Sequence, residues 1–147
     1  MTGTTVPPVG HYATLIESAF TELRAGVAAL CADTDSGPIG MKLSSFTAAS
    51  LDPPLLRISA PATSATWPVM TQSARLGLNV LWADQLTADP DLPQSDAFSV
   101  FDWGWQANET GAVFLSEAPA WFECSMYTEF SSGDRVVALL RVHSLKI

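Results

Sequence analysis

Apolar residues recur along this chain with two different periods. From His11 to Leu23, the residues Tyr12, Leu15, Ile16, Ala19, Phe20 and Leu23 follow the i, i+3, i+4 spacing that puts them on one face of an amphipathic helix, which Gly26 can end. Beyond that segment the helical period gives way to short runs and strict alternation. Val27 to Ala32 is an apolar run, Asp33 to Pro38 is rich in turn formers, and Ile39 to Leu43 resumes an extended pattern, which predicts strand, turn and strand. Leu55 to Ala60 predicts another strand, entered through Asp52-Pro53-Pro54, where each proline biases its predecessor away from helix. Thr63 to Gln72 reads as a short helix opening, with Ser64 or Thr66 as cap and Pro68 in its first turn.

Further on, Leu76, Leu78, Val80 and Trp82 alternate with Gly77, Asn79 and Leu81, the period of a half-buried strand. Ala120, Phe122, Cys124 and Met126 alternate in the same way with Trp121, Glu123, Ser125 and Tyr127. The turn Ser131-Ser132-Gly133-Asp134 feeds a last strand at Val136 to Val142, and Asp84 to Gly111 reads as a helix or loop. At least six short strands against two helical segments predict a mainly β fold, closed or nearly closed as a small barrel, in place of an alternating βαβ sheet. With no internal repeat and no shift in composition, residues 1–147 read as one domain whose first ten residues are flexible.

Composition narrows the partners. The chain is 48% hydrophobic and only 15% charged, so either the core is large for its size or an apolar face is covered by a second copy, which points to a homodimer. A net charge of −8 repels phosphate backbones and argues against nucleic acid. No Lys/Arg cluster suits an acidic membrane, and the longest apolar run, Val27 to Cys31, is far short of the ~20 residues of a bilayer-spanning helix. The opening Met-Thr-Gly-Thr-Thr-Val-Pro-Pro lacks the basic region and apolar run of a signal peptide, so a cytoplasmic protein is expected. Cys31 and Cys124 each sit in an apolar run, as buried reduced thiols do, and neither pairs with His11 or His143 at zinc spacing.

Two stretches can carry chemistry. Pro38 to Pro54 sets small and hydroxyl residues between a glycine and a double proline, so its backbone can approach a flat polar ligand while Ser44, Ser45, Thr47 and Ser50 offer hydroxyls. Taken alone, it reads more readily as an ordinary Ser/Thr-rich loop. Thr63-Ser64-Ala65-Thr66 gathers three hydroxyls and consecutive N–H groups where a helix opens, which serves either a phosphate or the helix cap. Trp103, Trp105 and Trp121 suit a ligand cover or a core, and Asp89, Asp91 and Asp96 suit a solvated loop. Neither histidine lies in a hydrolase context.

Wording joins the two stretches. Gly40-Met41-Lys42, Ser44-Ser45-Phe46-Thr47-Ala48 and Ser50-Leu51-Asp52-Pro53-Pro54-Leu55 are followed by Thr63-Ser64-Ala65-Thr66, Asn79-Val80-Leu81, Asp84-Gln85 and Gly133-Asp134. In that order, from about Phe20 to Val142, the chain resembles the flavin reductase-like family of FMN-binding split barrels. The resemblance implies a split β-barrel, Greek-key-like, with one N-terminal helix and one or two short helices. It implies that Lys42, Leu43, Ser44, Ser45, Phe46, Ala48 and Ala49 line the isoalloxazine and ribityl chain, and that Thr63, Ser64 and Thr66 hold the phosphate of FMN, with FAD as the alternative. It also implies hydride transfer from NADH or NADPH to flavin, with Asp134 and Arg135 toward the nicotinamide cofactor, no side-chain acid or nucleophile, and a monooxygenase partner that takes the reduced flavin.

Four positions depart from the family pattern. Lys42 replaces a usual threonine, Ala48 a serine, Ala65 a frequent basic residue, and Arg135 the histidine of Gly-Asp-His. The Ala65 departure predicts a less cationic phosphate site. Lys42, if it reaches the N1/C2 edge of a flavin, would raise its potential, and otherwise covers apolar surface with its stem. Arg135 leaves a flavin-binding module without efficient reductase activity as an alternative, alongside a flavoenzyme acting on another small molecule. The chain ends at Ile147, where relatives usually continue into a further strand, so part of the wall or dimer contact is expected to be missing.

Overall fold

The computed structural model describes residues 4–5, 27–35, 37–43, 46–51, 53–81, 97–99 and 104–146. Within them the chain forms β1 (Thr4–Thr5), β2 (Val27–Thr34), β3 (Gly37–Leu43), β4 (Phe46–Leu51), β5 (Pro54–Pro61), α1 (Trp67–Met70), β6 (Leu76–Leu81), β7 (Ala97–Ser99), β8 (Trp105–Ala107), β9 (Val113–Leu115), β10 (Ala120–Ser132) and β11 (Arg135–Lys146). Nine strands join one antiparallel sheet in the order β4-β5-β11-β10-β6-β2-β3-β7, with β1 added to β11, while β8 and β9 form a separate hairpin. The two ends of this order approach one another, because β3 makes contacts with β5. The mainly β expectation holds, and among the described residues no helix is long and apolar enough to cross a membrane.

Alternation explains the inner face. Leu56, Ile58 and Ala60 of β5, Ala138, Leu140 and Val142 of β11, Phe122 and Cys124 of β10, Leu76, Leu78 and Val80 of β6, and Met41 and Leu43 of β3 all enter one core, which Trp67 and Met70 of α1 cap. A second, smaller layer covers the other face of β2 and β6, where Ala29, Cys31 and Leu81 pack on Val113 and Leu115 of β9. β6 is therefore buried on both faces, not half-buried as its alternation predicts. Two residues make this close approach feasible. Gly77 has no side chain where a Cβ would lie 1.9 Å from the Val113 carbonyl oxygen. Asn79, fully buried, donates to the carbonyls of Ala29, Gly77 and Val113 at 3.1 to 3.3 Å and accepts from the Leu115 N–H at 2.8 Å. Its amide thus satisfies backbone groups that would otherwise be stranded between layers.

Other expectations shift as well. Asp84 to Gly111, read as helix or loop, contributes β7 and β8. Trp121, which suits a ligand cover or a core and alternates with the inward residues of β10, takes the core role on the other face, buried against Phe114 with ring centroids 4.0 Å apart. The last strand extends from Arg135 to Lys146, and only Gly133 and Asp134 separate it from β10, with Gly133 at φ +63. The predicted helix at His11 to Leu23, Trp82 and Trp103 lie outside the described residues.

The β10–β11 pairing slips twice. Glu123 faces Ser144 and Cys124 faces Val142, so His143 is an extra residue, and Met126 faces Leu140 while Thr128 faces Leu139, so Tyr127 is another. Each slip is a bulge that reverses which residues of the bulged strand face the core. Past Tyr127, Glu129 shares the core side with Ala138, and Phe130 faces outward beside Val137.

Candidate functional site

β5 is the axis about which the sequence-predicted residues gather. On one side it pairs with β4, with Phe46 opposite Ile58, Thr47 opposite Arg57 and Ala48 opposite Leu56. On the other it pairs with β11, with Arg135 opposite Pro61 and Val137 opposite Ser59. At its end the chain turns through Thr63 and Ser64 into α1. There the Ala62 N–H donates to the Asp134 carbonyl at 2.8 Å and the Ser64 N–H to that of Pro61 at 3.0 Å. The second half of the small-residue stretch, the hydroxyl turn and the Gly133-Asp134-Arg135 turn thus converge, though the last is distant in sequence, because β5 touches all three in space.

The small-residue stretch is itself two strands. Lys42 and Leu43 end β3, next to the last strand β7 of the order, and Phe46 to Ala49 belong to β4 at its opposite end. Ser44 and Ser45, between them, lie outside the described residues. The expected cradle is thus an edge strand from Phe46 onward. Thr47, Ala48 and Ala49 are exposed, Phe46 packs partly on the core, and Leu43 is buried in it, so Leu43 has only its backbone to offer a ligand. Lys42 is half-buried on the opposite face from Met41 and Leu43, beside Ala29. A register slip between Ala48 and Ser50 makes Ala49 a bulge residue, which turns backbone groups away from the ladder.

The hydroxyl turn is tied to its neighbours. Ser64 Oγ accepts the Trp67 N–H at 3.2 Å, leaving its own O–H to donate outward, and Thr63 is exposed. Thr66 is buried, and its carbonyl accepts from Val69 and Met70, each at 3.0 Å. The helix has only four residues, so it offers an anion little helix-end charge, and what the turn has to offer is the hydroxyls of Thr63 and Ser64. Trp67 Nε1 donates to Glu129 at 2.8 Å, which pins the β10–β11 tip to α1.

Arg135, expected only to begin a strand or to reach a pyrophosphate, donates through Nε to the Ser59 hydroxyl. Ser59 and Arg57 were not singled out in the sequence. Arg57 stands out only as the lone charge in the apolar run of β5, which is the sign of a residue projecting from the outer face.

A separate polar group lies toward the other end of β11. Arg75 pairs with Glu123 at 3.1 Å, Ser144 and Thr110 donate to the same carboxylate at 2.8 and 3.1 Å, and Ser125 and His143 share a hydrogen bond of 2.7 Å. Burial alone would raise the Glu123 pKa, but the Ser144, Asn108 and Thr110 hydrogen bonds and the Arg75 charge bring it below the ordinary value. His143 is held down first by burial and then by Arg75. Burial raises both cysteine thiols, which leaves Cys31 and Cys124 unreactive.

An exposed edge of small residues, a hydroxyl turn and a charged turn around a single strand make a candidate ligand site with backbone groups on one side and charge on the other. The family described as flavin reductase like domain matches residues 20–147. The chain belongs to that family. It is 35% identical over 130 residues to a probable flavin reductase of Rhizobium meliloti, an alignment covering 86% of this chain and 41% of that relative. It is 30% identical over 131 residues to the FMN reductase (NADH) SmoA of Agrobacterium fabrum, covering 88% and 74%. Among solved structures, the chain is similar to BorF, the flavin reductase component of a bacterial two-component tryptophan halogenase, at 29% identity and a TM-score of 0.67, covering 88% of this chain and 86% of that one. The chain therefore spans about two fifths of the length of the Rhizobium meliloti relative.

The residues present fit a flavin. Along β4 the small exposed side chains at 47–49 let a planar ring approach the backbone, and among the described residues no strand covers the free edge of β4. Thr63 and Ser64 offer hydroxyls a phosphate can accept from, close to the β11 turn.

Proposed function

We propose that this chain is an NAD(P)H:flavin oxidoreductase, a single domain over 1–147 rolled into a split β-barrel, that binds FMN and supplies reduced flavin to a partner monooxygenase. The observation that carries this reading is the meeting of β4, the Thr63–Thr66 turn and the Asp134–Arg135 turn around β5 in a member of the flavin reductase-like family. The contact of β3 with β5 supports the rolled sheet. The similarity to an FMN reductase that uses NADH and to a reductase component of a two-component system supports the cofactor, donor and partner. A flavin, when bound, supplies the hydride chemistry.

The protein's part is positioning. The β4 backbone with Ala48 and Ala49 orients the ring, together with Lys42, the Leu43 backbone, Ser44, Ser45 and Phe46, and Thr63, Ser64 and the Thr66 turn hold the phosphate. Arg135, fixed by Ser59, presents its guanidinium toward the donor's phosphates. Hydride transfer across stacked rings asks for proximity, not a protein acid or base. A homodimer in the cytoplasm is part of the same reading.

The absorption spectrum of the purified protein, an FMN titration and the rate of NADH and NADPH oxidation with excess FMN test this reading. FMN binding with nicotinamide oxidation above the flavin-only rate is expected. Binding without oxidation would favour the second reading, a flavin-binding module, which the arginine in place of the histidine of Gly-Asp-His supports.

A further inference from the structure

The hydroxyl turn between β5 and α1 is held in place from outside. The helix that it enters has four residues, and Thr66 at its N-cap gives it no side-chain cap, so α1 does little to fix the turn. The tip of the β10–β11 pair holds the turn at both ends instead. On entry, the Ala62 N–H donates to the Asp134 carbonyl at 2.8 Å. On exit, Trp67 Nε1 donates to Glu129 Oε2, also at 2.8 Å.

Trp67 is the middle link of a short chain of hydrogen bonds. Its ring enters the main core with 5% of the residue exposed, so the indole N–H has to find a protein partner. Its backbone N–H donates to Ser64 Oγ at 3.2 Å, which uses one acceptor site of that oxygen and leaves the hydroxyl hydrogen for another acceptor. Glu129 therefore fixes where Trp67 sits, and Trp67 fixes how Ser64 can donate.

The bulge at Tyr127 is what brings Glu129 to this place. It puts Glu129 on the same side of the sheet as Ala138, toward α1, while the side chain stays exposed. An exposed carboxylate adds nothing to core burial, so the contribution of Glu129 is its bond to the indole. No feature of the sequence singles it out, because the partner lies on another element.

We propose that Glu129 is a positioning residue for phosphate recognition: through Trp67 it holds the Ser64 hydroxyl where the turn at 62–67 can donate to the phosphate of a flavin. The inference deepens the flavin reading and rests on it for the identity of the phosphate. Glu129 acts through the indole and not on the ligand. Because this bond governs the phosphate end alone, it sets the preference for FMN over riboflavin, which has the same ring and ribityl chain and no phosphate.

Fluorescence titrations of the full chain with FMN and with riboflavin test the proposal. The unmodified chain should bind FMN more tightly than riboflavin. Glu129→Ala and Trp67→Phe should each weaken FMN binding about tenfold, the order of one buried hydrogen bond, and leave riboflavin binding as it was. Glu129→Gln keeps an oxygen for the indole and should recover most of that loss. The double variant Trp67→Phe/Glu129→Ala should lose no more than either single one, since both break the same bond. Variants that lower the thermal midpoint yet keep the ratio of FMN to riboflavin affinity would make the bond a brace of the fold only and overturn the proposal. So would Glu129→Gln behaving like Glu129→Ala. A chain that binds FMN no better than riboflavin, or binds FMN alike in all variants, loses the proposal and keeps the flavin reading. One that binds neither flavin loses both, so the two failures are distinguishable.

Discussion

The two ends of the β10–β11 pair are built from the same ladder and live in different surroundings. At the end where β10 begins, β6 lies alongside, the core packs one face, and β9 and the Phe114–Trp121 contact cover the other. At the far end, Tyr127 through Asp134 are all exposed, and the strands are steadied by β5, by the Glu129 to Trp67 bond and by the Asp134 to Ala62 bond. One end holds the sheet together from both faces, while the other presents a face to solvent, with the candidate ligand groups arranged around it. On the proposed reading, ligand recognition falls at the end of a strand pair whose stability is secured elsewhere, so that ligand residues can vary without loosening the fold.

Substitutions should separate the two ends by size of effect. Gly77→Ala should be the most damaging, because the added Cβ meets the Val113 backbone and β9 must move; a loss of about 3 kcal/mol is expected from urea unfolding. An unchanged midpoint would mean that β9 does not sit on β6. Asn79→Ala comes next, at about 2 kcal/mol, since the Leu115 N–H and three carbonyls lose their partner between layers. The same unfolding series reads it, and a loss below that of an ordinary surface change would break the contrast.

Gly133→Ala, at the exposed end, should cost only about 1 kcal/mol, because its positive φ is unfavourable for alanine but nothing lies within 4 Å of the added Cβ. A loss as large as that of Gly77→Ala would show that the tip is not the permissive end. The smallest effect is a pH dependence at the border between the ends. The Glu123 pKa is lowered in the folded state, so its contribution is present above its ordinary value of 4.5 and is lost as pH falls through the folded value. Glu123→Gln should flatten the acid side of a stability-against-pH curve, and a curve that keeps its slope would locate the acid sensitivity elsewhere.

Much of this was legible in the chain. The strands from Val27, Ile39, Leu55, Leu76, Ala120 and Val136 follow from apolar runs and alternation, and the structure finds each of them. What alternation cannot report is a second layer. Gly77 and Asn79 read as solvent-facing because one is small and the other polar, yet one lets a backbone approach and the other feeds backbone hydrogen bonds. The candidate site was half legible. Its small residues and hydroxyls announce themselves, but the burial of Leu43 and Thr66 depends on distant partners, and Arg57 and Ser59 acquire meaning only when β11 lies against β5.

The extra residue at Tyr127 works as a change of phase in a binary signal. Had the alternation of Phe122, Cys124 and Met126 run on unbroken, Phe130 would continue it on the core side and Glu129 would point the other way, away from Trp67. One added residue inverts the remainder of the strand, so the same string of amino acids writes a core in its first half and a contact surface in its second. Losing or gaining a single position there would exchange those two messages at once, without touching a residue on either side.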